Sequence, residues 1–371
     1  MSLAFVHAAD FHLGADIRRF GTAAEKLRAA QWDAFTKTLA FAASSGAAFV
    51  LICGDLFDSR FPRPEISAKA REILARFPST PVFILPGTHD YLSDGSILGR
   101  EDFRAGLSHV VILDGRIKSP LDLPEFNCRL YFSANRSNRS ATSPIAGFRR
   151  EDFDGFHIGA AHGSLRIGGW NTAYDFPINP RDVERSGLDY LALGHWHKYR
   201  REQIGSTPVI YSGTPQPTGF SDPETGSVVY VRLERNGSAM VEQVATGMIS
   251  VVTLAEKIYH PHQVKQLLEN AADPNKIIKT VFSYSDNFNE PTEVAAIVTS
   301  FAPRFLFMVN QDFPESTGGV ERPDSPPAEA SALISGFLTE LNCLKAADNP
   351  ERAGLYEKAA EVGTRLIKGD L

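Results

Sequence analysis

Cysteine is scarce in this sequence, with three residues, Cys53, Cys128 and Cys343, among 371. The count is odd and the spacing wide, and Cys53 ends the apolar run Phe49-Val50-Leu51-Ile52, so the thiols read as reduced and structural, in a reducing compartment. Long apolar runs are missing as well: nothing reaches the roughly 18 uninterrupted apolar residues of a membrane-spanning helix. The N-terminal stretch Met1 to His7 has neither the basic region nor the long apolar core of a secretion signal. A soluble, cytoplasmic protein without membrane contacts is expected. Basic charge is in short supply too. A formal net charge of −6 argues against a surface that coats nucleic acid generally, while leaving room for a local basic patch. There is no internal repeat.

What is present is ordinary globular composition, 43% hydrophobic and 22% charged, in a chain long enough for one large domain and one or two smaller ones. Leu3-Ala4-Phe5-Val6 reads as a strand ending in Asp10-Phe11-His12-Leu13-Gly14. Thr22 is placed to cap a helix over about 23–45. A second apolar strand, Ala48 to Cys53, ends in Gly54-Asp55-Leu56-Phe57-Asp58. After a helix over about 65–77, a third strand, Pro81 to Leu85, ends in Pro86-Gly87-Thr88-His89-Asp90. This strand-helix-strand rhythm is that of a parallel sheet, whose ligands bind beyond the carboxyl ends of the strands.

Further on, Phe156 to Ala161 is a strand ending in His162-Gly163, and Tyr190-Leu191-Ala192-Leu193 runs into Gly194-His195-Trp196-His197. Histidines at i and i+2 in a tight loop can aim both imidazoles into one cavity, although two surface histidines flanking a tryptophan would look the same. The series decides the matter. Asp10, His12, Asp55, Thr88, His89, His162, His195 and His197 all fall at strand ends, expected along one sheet edge. Mixed imidazole and carboxylate donors suit a pair of manganese, iron, cobalt, nickel or zinc ions, whereas magnesium favours more oxygen ligands.

The series Asp10-x-His12, Gly54-Asp55-x-x-Asp58, Gly87-Thr88-His89-Asp90, lone His162 and Gly194-His195-x-His197 resembles the calcineurin-like metallophosphoesterases. His7-Ala8-Ala9-Asp10-Phe11-His12-Leu13-Gly14, Gly-Asp-Leu-Phe-Asp at 54–58 and Tyr-Ser-Gly-Thr-Pro-Gln at 211–216 resemble the SbcD-type DNA repair exonucleases and the related YhaO group. The resemblance implies an α/β fold, a β-sandwich flanked by helices. It implies that Asp10, His12, Asp55 and His197 hold one metal, and that Asp55 bridges to a second held by His162 and His195. His89 would be the general acid for the leaving oxygen, oriented by Asp90, with Asp58 supporting the ligands from behind. A shared carboxylate keeps two cations about 4 Å apart, where they polarise phosphoryl oxygens and acidify a water; manganese is the expected metal. Thr88 departs from the pattern, because the family has asparagine there and a hydroxyl is a poorer neutral ligand.

The catalytic domain is expected over 1–248, closed by a hairpin around Asn236-Gly237. A small α/β capping domain follows over 249–312, with strands at 249–254, 277–284 and 304–309 and helices at 261–272 and 291–301. A linker over 313–327 leads to a helical segment over 328–371. Arg18, Arg19, Arg60, Arg63, Lys198, Arg200 and Arg201 follow the motif loops and are read as a rim for DNA backbone phosphates, a charge-balanced solvated surface being the other reading. The implied partners are DNA ends, an SMC-like coiled-coil ATPase bound by the C-terminal helices, and a second copy of the chain in a homodimer. Three functions follow. They are a metal-dependent DNA exo- or endonuclease in repair, a phosphodiesterase or phosphatase acting on small molecules or phosphoproteins, and a non-catalytic DNA-end adaptor weakened at Thr88.

Overall fold

The apolar runs that read as strands pack against one another in two layers. In the computed structural model of the protein, residues 2–167, 174–220, 225–285 and 288–310 are described. The linker and C-terminal helices expected over 313–371, and Cys343, lie outside the described residues.

In chain order, β1 (Ser2–Ala8) leads to α1 (Ala24–Ser44), β2 (Val50–Cys53), α2 (Pro64–Ala75), β3 (Val82–Leu85), the short α3 (Glu101–Arg104) and β4 (Val110–Ile112). Next come β5 (Leu121–Leu123), β6 (Cys128–Phe132), β7 (Phe156–His162), α4 (Pro180–Ser186), β8 (Tyr190–Gly194), β9 (Arg200–Ile204) and β10 (Thr207–Tyr211). The hairpin β11 (Ser227–Glu234) and β12 (Ala239–Ala245) follows. The described chain closes with β13 (Ser250–Ile258), α5 (Pro261–Ala271), β14 (Asp273–Tyr284), α6 (Pro291–Phe301) and β15 (Phe305–Asn310).

These strands form three sheets, ordered β12-β11-β1-β2-β3-β4, β5-β6-β7-β8-β10-β9 and β13-β14-β15. β1 to β4 run parallel, as do β6, β7, β8 and β10, with antiparallel strands at the margins. The two large sheets face each other across Phe5, Leu51, Phe83, Leu130, Ile158, Ala192 and Ile210. Alternation on β1 sends Phe5 into this interior and Val6 outward to the layer of Trp32, Phe35 and Ile73 on α1 and α2. Strands buried on both faces must be apolar throughout, which is why they read as continuous runs.

The donor-bearing strands therefore do not share one sheet edge, as the sequence suggested. β1, β2 and β3 lie in the first sheet and β7 and β8 in the second. The reason is β5, which pairs antiparallel with β6 and with no strand of the first sheet, so it begins a new sheet. The carboxyl ends of both parallel sets meet at one rim. Thr22 does not cap α1 either. A 3-10 turn over Arg18–Ala23 runs into the helix, the Ala24 amide bonds the Gly21 carbonyl, and Ala23 stands at the cap position.

The third sheet is all parallel. It packs Ile278, Phe282 and Phe305 against Val264 and Leu268 of α5 and Val294 and Val298 of α6. Its strands run longer than their most apolar stretches, since β13 continues to Ile258 and β14 begins at Asp273. Among the described residues no helix is long and apolar enough to cross a membrane.

His7 joins the two large sheets. Its Nε2 donates to the Leu193 carbonyl (3.2 Å) and its Nδ1 accepts from the Tyr190 hydroxyl (3.0 Å), both on β8. Burial pushes its pKa from 6.5 down to about 3, with the Leu193 bond opposing. The unfolded chain therefore binds a proton between those values that the fold rejects, so this contribution is present above pH 6.5 and is lost as pH falls toward 3. The slope is about 1.4 kcal/mol per pH unit. We expect urea denaturation to show wild type losing about 2 kcal/mol more than His7→Phe between pH 7 and pH 5. His7→Phe should also be about 1–3 kcal/mol less stable at pH 7, because Tyr190 loses its acceptor. Parallel pH profiles would show that His7 is not a buried neutral clamp.

Candidate metal centre

Several donors leave their strands through sharp turns. Asp10, His12, Asp55 and His195 have φ of 56°, 47°, 53° and 104°. They are four of the six non-glycine residues with positive φ among the described residues. That region is costly for side chains and is held only where the surroundings enforce it. Here a backbone ladder does so: Asp10 N–H to Gly54 O (3.0 Å), His12 N–H to Asp55 O (3.0 Å), Leu13 N–H to Leu56 O (2.9 Å) and Asp58 N–H to Leu13 O (3.2 Å). Two glycines permit the close approach. A Cβ on Gly54 would stand 2.1 Å from His162 Nδ1, and one on Gly87 would stand 2.2 Å from Asp55 Oδ1.

Asp55 is the centre of the cluster. Its Oδ1 accepts the His89 amide (2.8 Å); its Oδ2 accepts the Thr88 hydroxyl (3.0 Å) and lies 3.2 Å from His162 Nε2 and 3.9 Å from His12 Nε2. Burial alone would raise its pKa, but His162, His12 and His89 outweigh burial and hold it well below the carboxylate range. His162 donates Nδ1–H to the Cys53 carbonyl (2.9 Å), which turns Nε2 toward Asp55. Burial lowers the His162 pKa, yet Asp55 lifts it to about 9.

Donor atoms gather in three overlapping groups, Asp10 with His12 and His197, Asp10 with Asp55 and His162, and His12 with Asp55 and His89. The fit to cations shows best at His12 and His197, whose Nε2 atoms stand 3.0 Å apart. His12 donates Nδ1–H to Asp58 Oδ1 (3.0 Å), so its Nε2 presents a lone pair to its neighbour. Two nitrogens each about 2.1 Å from a shared cation would stand roughly 3.0–3.4 Å apart. The donor set fits divalent metal.

Thr88 lies inside the cluster, its hydroxyl also 3.2 Å from His162 Nε2. His195 lies beside His162, with ring centroids 5.1 Å apart. Its amide bonds the Asp10 carboxylate (3.1 and 3.0 Å), and its Nε2 meets Asp175 Oδ1 at 2.8 Å. Asp90 does not orient His89. Its carboxylate points inward to the amides of Gly87 (2.7 Å) and Phe57 (3.1 Å), where it braces the two loops, and burial together with the Asp55 charge raises its pKa to about 7. The partner of His89 is Asp58, whose carbonyl and Oδ1 lie 3.2 and 3.4 Å from Nδ1. Asp58 thus serves His12 and His89 together. Burial would raise its pKa, but bonds from the two rings hold it at about 2. The Asp58 bond in turn raises His89 to about 9, and cations held by Asp55 and His12 would pull that value back.

The arginine rim is largely engaged within the protein. Arg18 pairs with Asp16, Arg63 with Glu65 (3.3 Å) and Arg200 with Glu202 (2.7 Å). Arg19 donates to the Thr218 carbonyl. Arg60 bonds the Tyr91 hydroxyl and lies over the rings of Phe61 and Tyr91. Lys198 and Arg201 flank Arg200, with Arg201 on β9. Three contributors escaped sequence reading. Asp175 belongs to no motif, Asn135 donates to the His162 carbonyl (3.2 Å), and the Thr214 hydroxyl bonds the Asp10 carbonyl (2.6 Å). Only Thr214 carried a signal, the Tyr-Ser-Gly-Thr-Pro-Gln segment that contains it.

This chain is similar to known proteins in sequence and in structure. The uncharacterized metallophosphoesterase YhaO of Bacillus subtilis (strain 168) is 26% identical over 237 residues, covering 62% of this chain and 56% of that protein. The chain thus spans little more than half the length of that relative. Among solved structures, TT1561 of Thermus thermophilus aligns with a TM-score of 0.42 at 10% identity, over 66% of this chain and 99% of that one. A dimetal phosphatase from Danio rerio aligns at 0.37 and 14% identity, over 66% and 99%. The family model for calcineurin-like phosphoesterases matches residues 3–199, more than half of the 371, and takes in every donor from Asp10 to His197. The chain belongs to the calcineurin-like phosphoesterase family.

Proposed function

We propose that this protein hydrolyses phosphodiesters with a pair of divalent cations, manganese foremost and iron, zinc, cobalt or nickel as alternatives. One observation carries the reading. The buried Asp55 carboxylate lies between a ring of each proposed site, its Oδ2 3.2 Å from His162 Nε2 and 3.9 Å from His12 Nε2, as a bridging ligand must. Asp10, His12, Asp55 and His197 would hold one ion; Asp55, His162 and His195, with the Thr88 hydroxyl, would hold the other. Such a pair, when bound, supplies Lewis-acid polarisation of phosphoryl oxygens and a water acidified toward neutrality. His89, half exposed at the rim with Nδ1 engaged by Asp58, offers Nε2–H to the leaving oxygen. Asp58 orients that ring, and Asp90 keeps the loop beneath it in place.

The substrate we propose is DNA, attacked by an exo- or endonuclease in repair together with an SMC-like ATPase. Its support is the likeness of the Asp10, Asp55 and Thr214 segments to SbcD-type enzymes. A small phosphoester is favoured by a different observation, the pairing of Arg18, Arg63 and Arg200 with their own carboxylates. A DNA phosphate would have to displace those partners. Cleavage of end-labelled DNA at a rate at or above that of bis-p-nitrophenyl phosphate selects the nuclease. Turnover of the small diester alone selects the second reading, and metal binding without turnover selects a non-catalytic DNA-end adaptor.

Three outcomes are expected. Asp55→Asn, which weakens the ligand shared by both ions, should reduce manganese-dependent hydrolysis of bis-p-nitrophenyl phosphate to background; turnover equal to wild type would refute the shared-carboxylate mechanism. His89→Ala should keep its full metal content while losing about 10²–10⁴-fold in rate, and loss of an ion would move His89 from acid to ligand. Thr88→Asn should lower the manganese concentration giving half-maximal activity, because an amide oxygen reaches the second ion better than a hydroxyl already donating to Asp55. An unchanged or poorer metal dependence would mean that the hydroxyl, or water, already serves there.

A further inference from the structure

His162 and His195 are neighbours fixed in opposite orientations. The Cys53 carbonyl accepts only, so it fixes the proton of His162 on Nδ1 and leaves Nε2 for Asp55 and a cation. At His195 the acceptor is the Asp175 carboxylate, 2.8 Å from Nε2, so the proton sits on Nε2 and Nδ1 carries the lone pair. Asp175 is held firmly for this task. Its Oδ2 accepts the Ser164 hydroxyl (2.5 Å), and the Ser164 oxygen accepts the indole N–H of Trp196 (3.0 Å). Trp196 in turn stacks on Tyr211 at 4.5 Å and 14°. The Tyr211 hydroxyl is tied to β7's continuation, donating to the Gly163 carbonyl and accepting the Leu165 amide, both at 2.8 Å. Every donor in the relay from Trp196 through Ser164 points toward the carboxylate, and the backbone repeats the link, with the Ser164 amide on the Asp175 carbonyl (3.1 Å).

We propose that Asp175 is a positioning residue for the second cation, selecting the His195 tautomer that offers Nδ1 and supplying through that ring part of the affinity that the Thr88 hydroxyl does not provide. The inference rests on the two-metal reading above. A carboxylate behind a ligating imidazole makes the ring a stronger donor, and its loss typically costs about 10–100-fold in metal affinity. The dependence should be steep here, because the Thr88 hydroxyl is already committed to Asp55 and His195 bears more of the site.

The test is manganese binding to the full chain by equilibrium dialysis with metal analysis, without substrate, on wild type, Asp175→Asn, Asp175→Ala and Asp175→Glu. Wild type should bind two ions. Asp175→Ala should weaken the looser ion about 10–100-fold and leave the tighter one within about twofold. Asp175→Asn keeps the shape of the side chain and guards against misfolding; it should fall between Asp175→Ala and wild type, and Asp175→Glu should recover part of the loss. Combined with Thr88→Asn, the Asp175→Ala defect should shrink, because the two residues serve one ion. Two ions bound as in wild type by Asp175→Ala, or equal weakening of both, would overturn the inference alone. A wild-type protein that binds fewer than two ions would overturn the two-metal reading, and this inference with it.

Discussion

A single buried charge organises this molecule. Asp55 lies where the carboxyl ends of two parallel sheets converge, and it is almost wholly shielded from water. An ionised carboxylate so placed costs several kcal/mol unless its environment answers it. The answers arrive from elements far apart in sequence: the His89 amide and Thr88 hydroxyl from the loop after β3, and His162 from the end of β7. The sandwich is needed because no single sheet could bring donors to both sides of one carboxylate. β1 and β3 flank β2 within the first sheet, while β7 and β8 reach it across the interior.

The same geometry explains which parts of the fold and site were legible in the sequence. Strands covered on both faces announce themselves as unbroken apolar runs, and chemistry at the ends of parallel strands follows directly, so Asp10, His12, Asp55, His162 and His197 could be read from local pattern. Hydrogen-bond partnership between strands is not local. β7 looks like a fifth member of the first sheet until β5 is seen to start a new one. The side-chain reach of loops is equally hidden. Asp90 follows His89 directly yet turns inward to two amides, whereas Asp58, thirty-one residues away, bonds the ring. Asp175 meets His195 across twenty residues with no periodicity to mark it. The third sheet was legible because its helices and strands alternate within short range.

Several surface arginines, some of them after the motif loops, follow a local pairing rule. Arg18 with Asp16, Arg100 with Asp102, Arg116 with Asp114 and Arg200 with Glu202 are all pairs two residues apart. A cluster of arginines looks like a phosphate grip only if the alternating carboxylates are ignored. Each exposed pair contributes little to stability, but it lowers the local positive potential that a phosphate would meet, and that potential is what speeds the capture of anions. Arg18 and Arg200 thus stand in carboxylate pairs whose acidic partner a substrate phosphate would have to replace.

Strain and donor crowding point the same way. Four donors sit in left-handed backbone, at a cost of order 1–3 kcal/mol each, and the His12 and His197 nitrogens face one another at 3.0 Å. The left-handed backbone opposes folding. The strain is tolerated because the loop ladder from Asp10 to Asp58 and the sheets behind it constrain the positions more strongly than the strain opposes them. A cation held by these donors would stabilise only the folded arrangement, since the unfolded chain scatters the donors. The stability withheld at this rim would thus be recovered on binding a cation. That coupling also explains why the braces at the site, Asp90 between two loops, Asn135 on His162 and Thr214 on Asp10, are buried and neutral or doubly hydrogen-bonded: they must hold the donors together before any ion arrives, without competing for it.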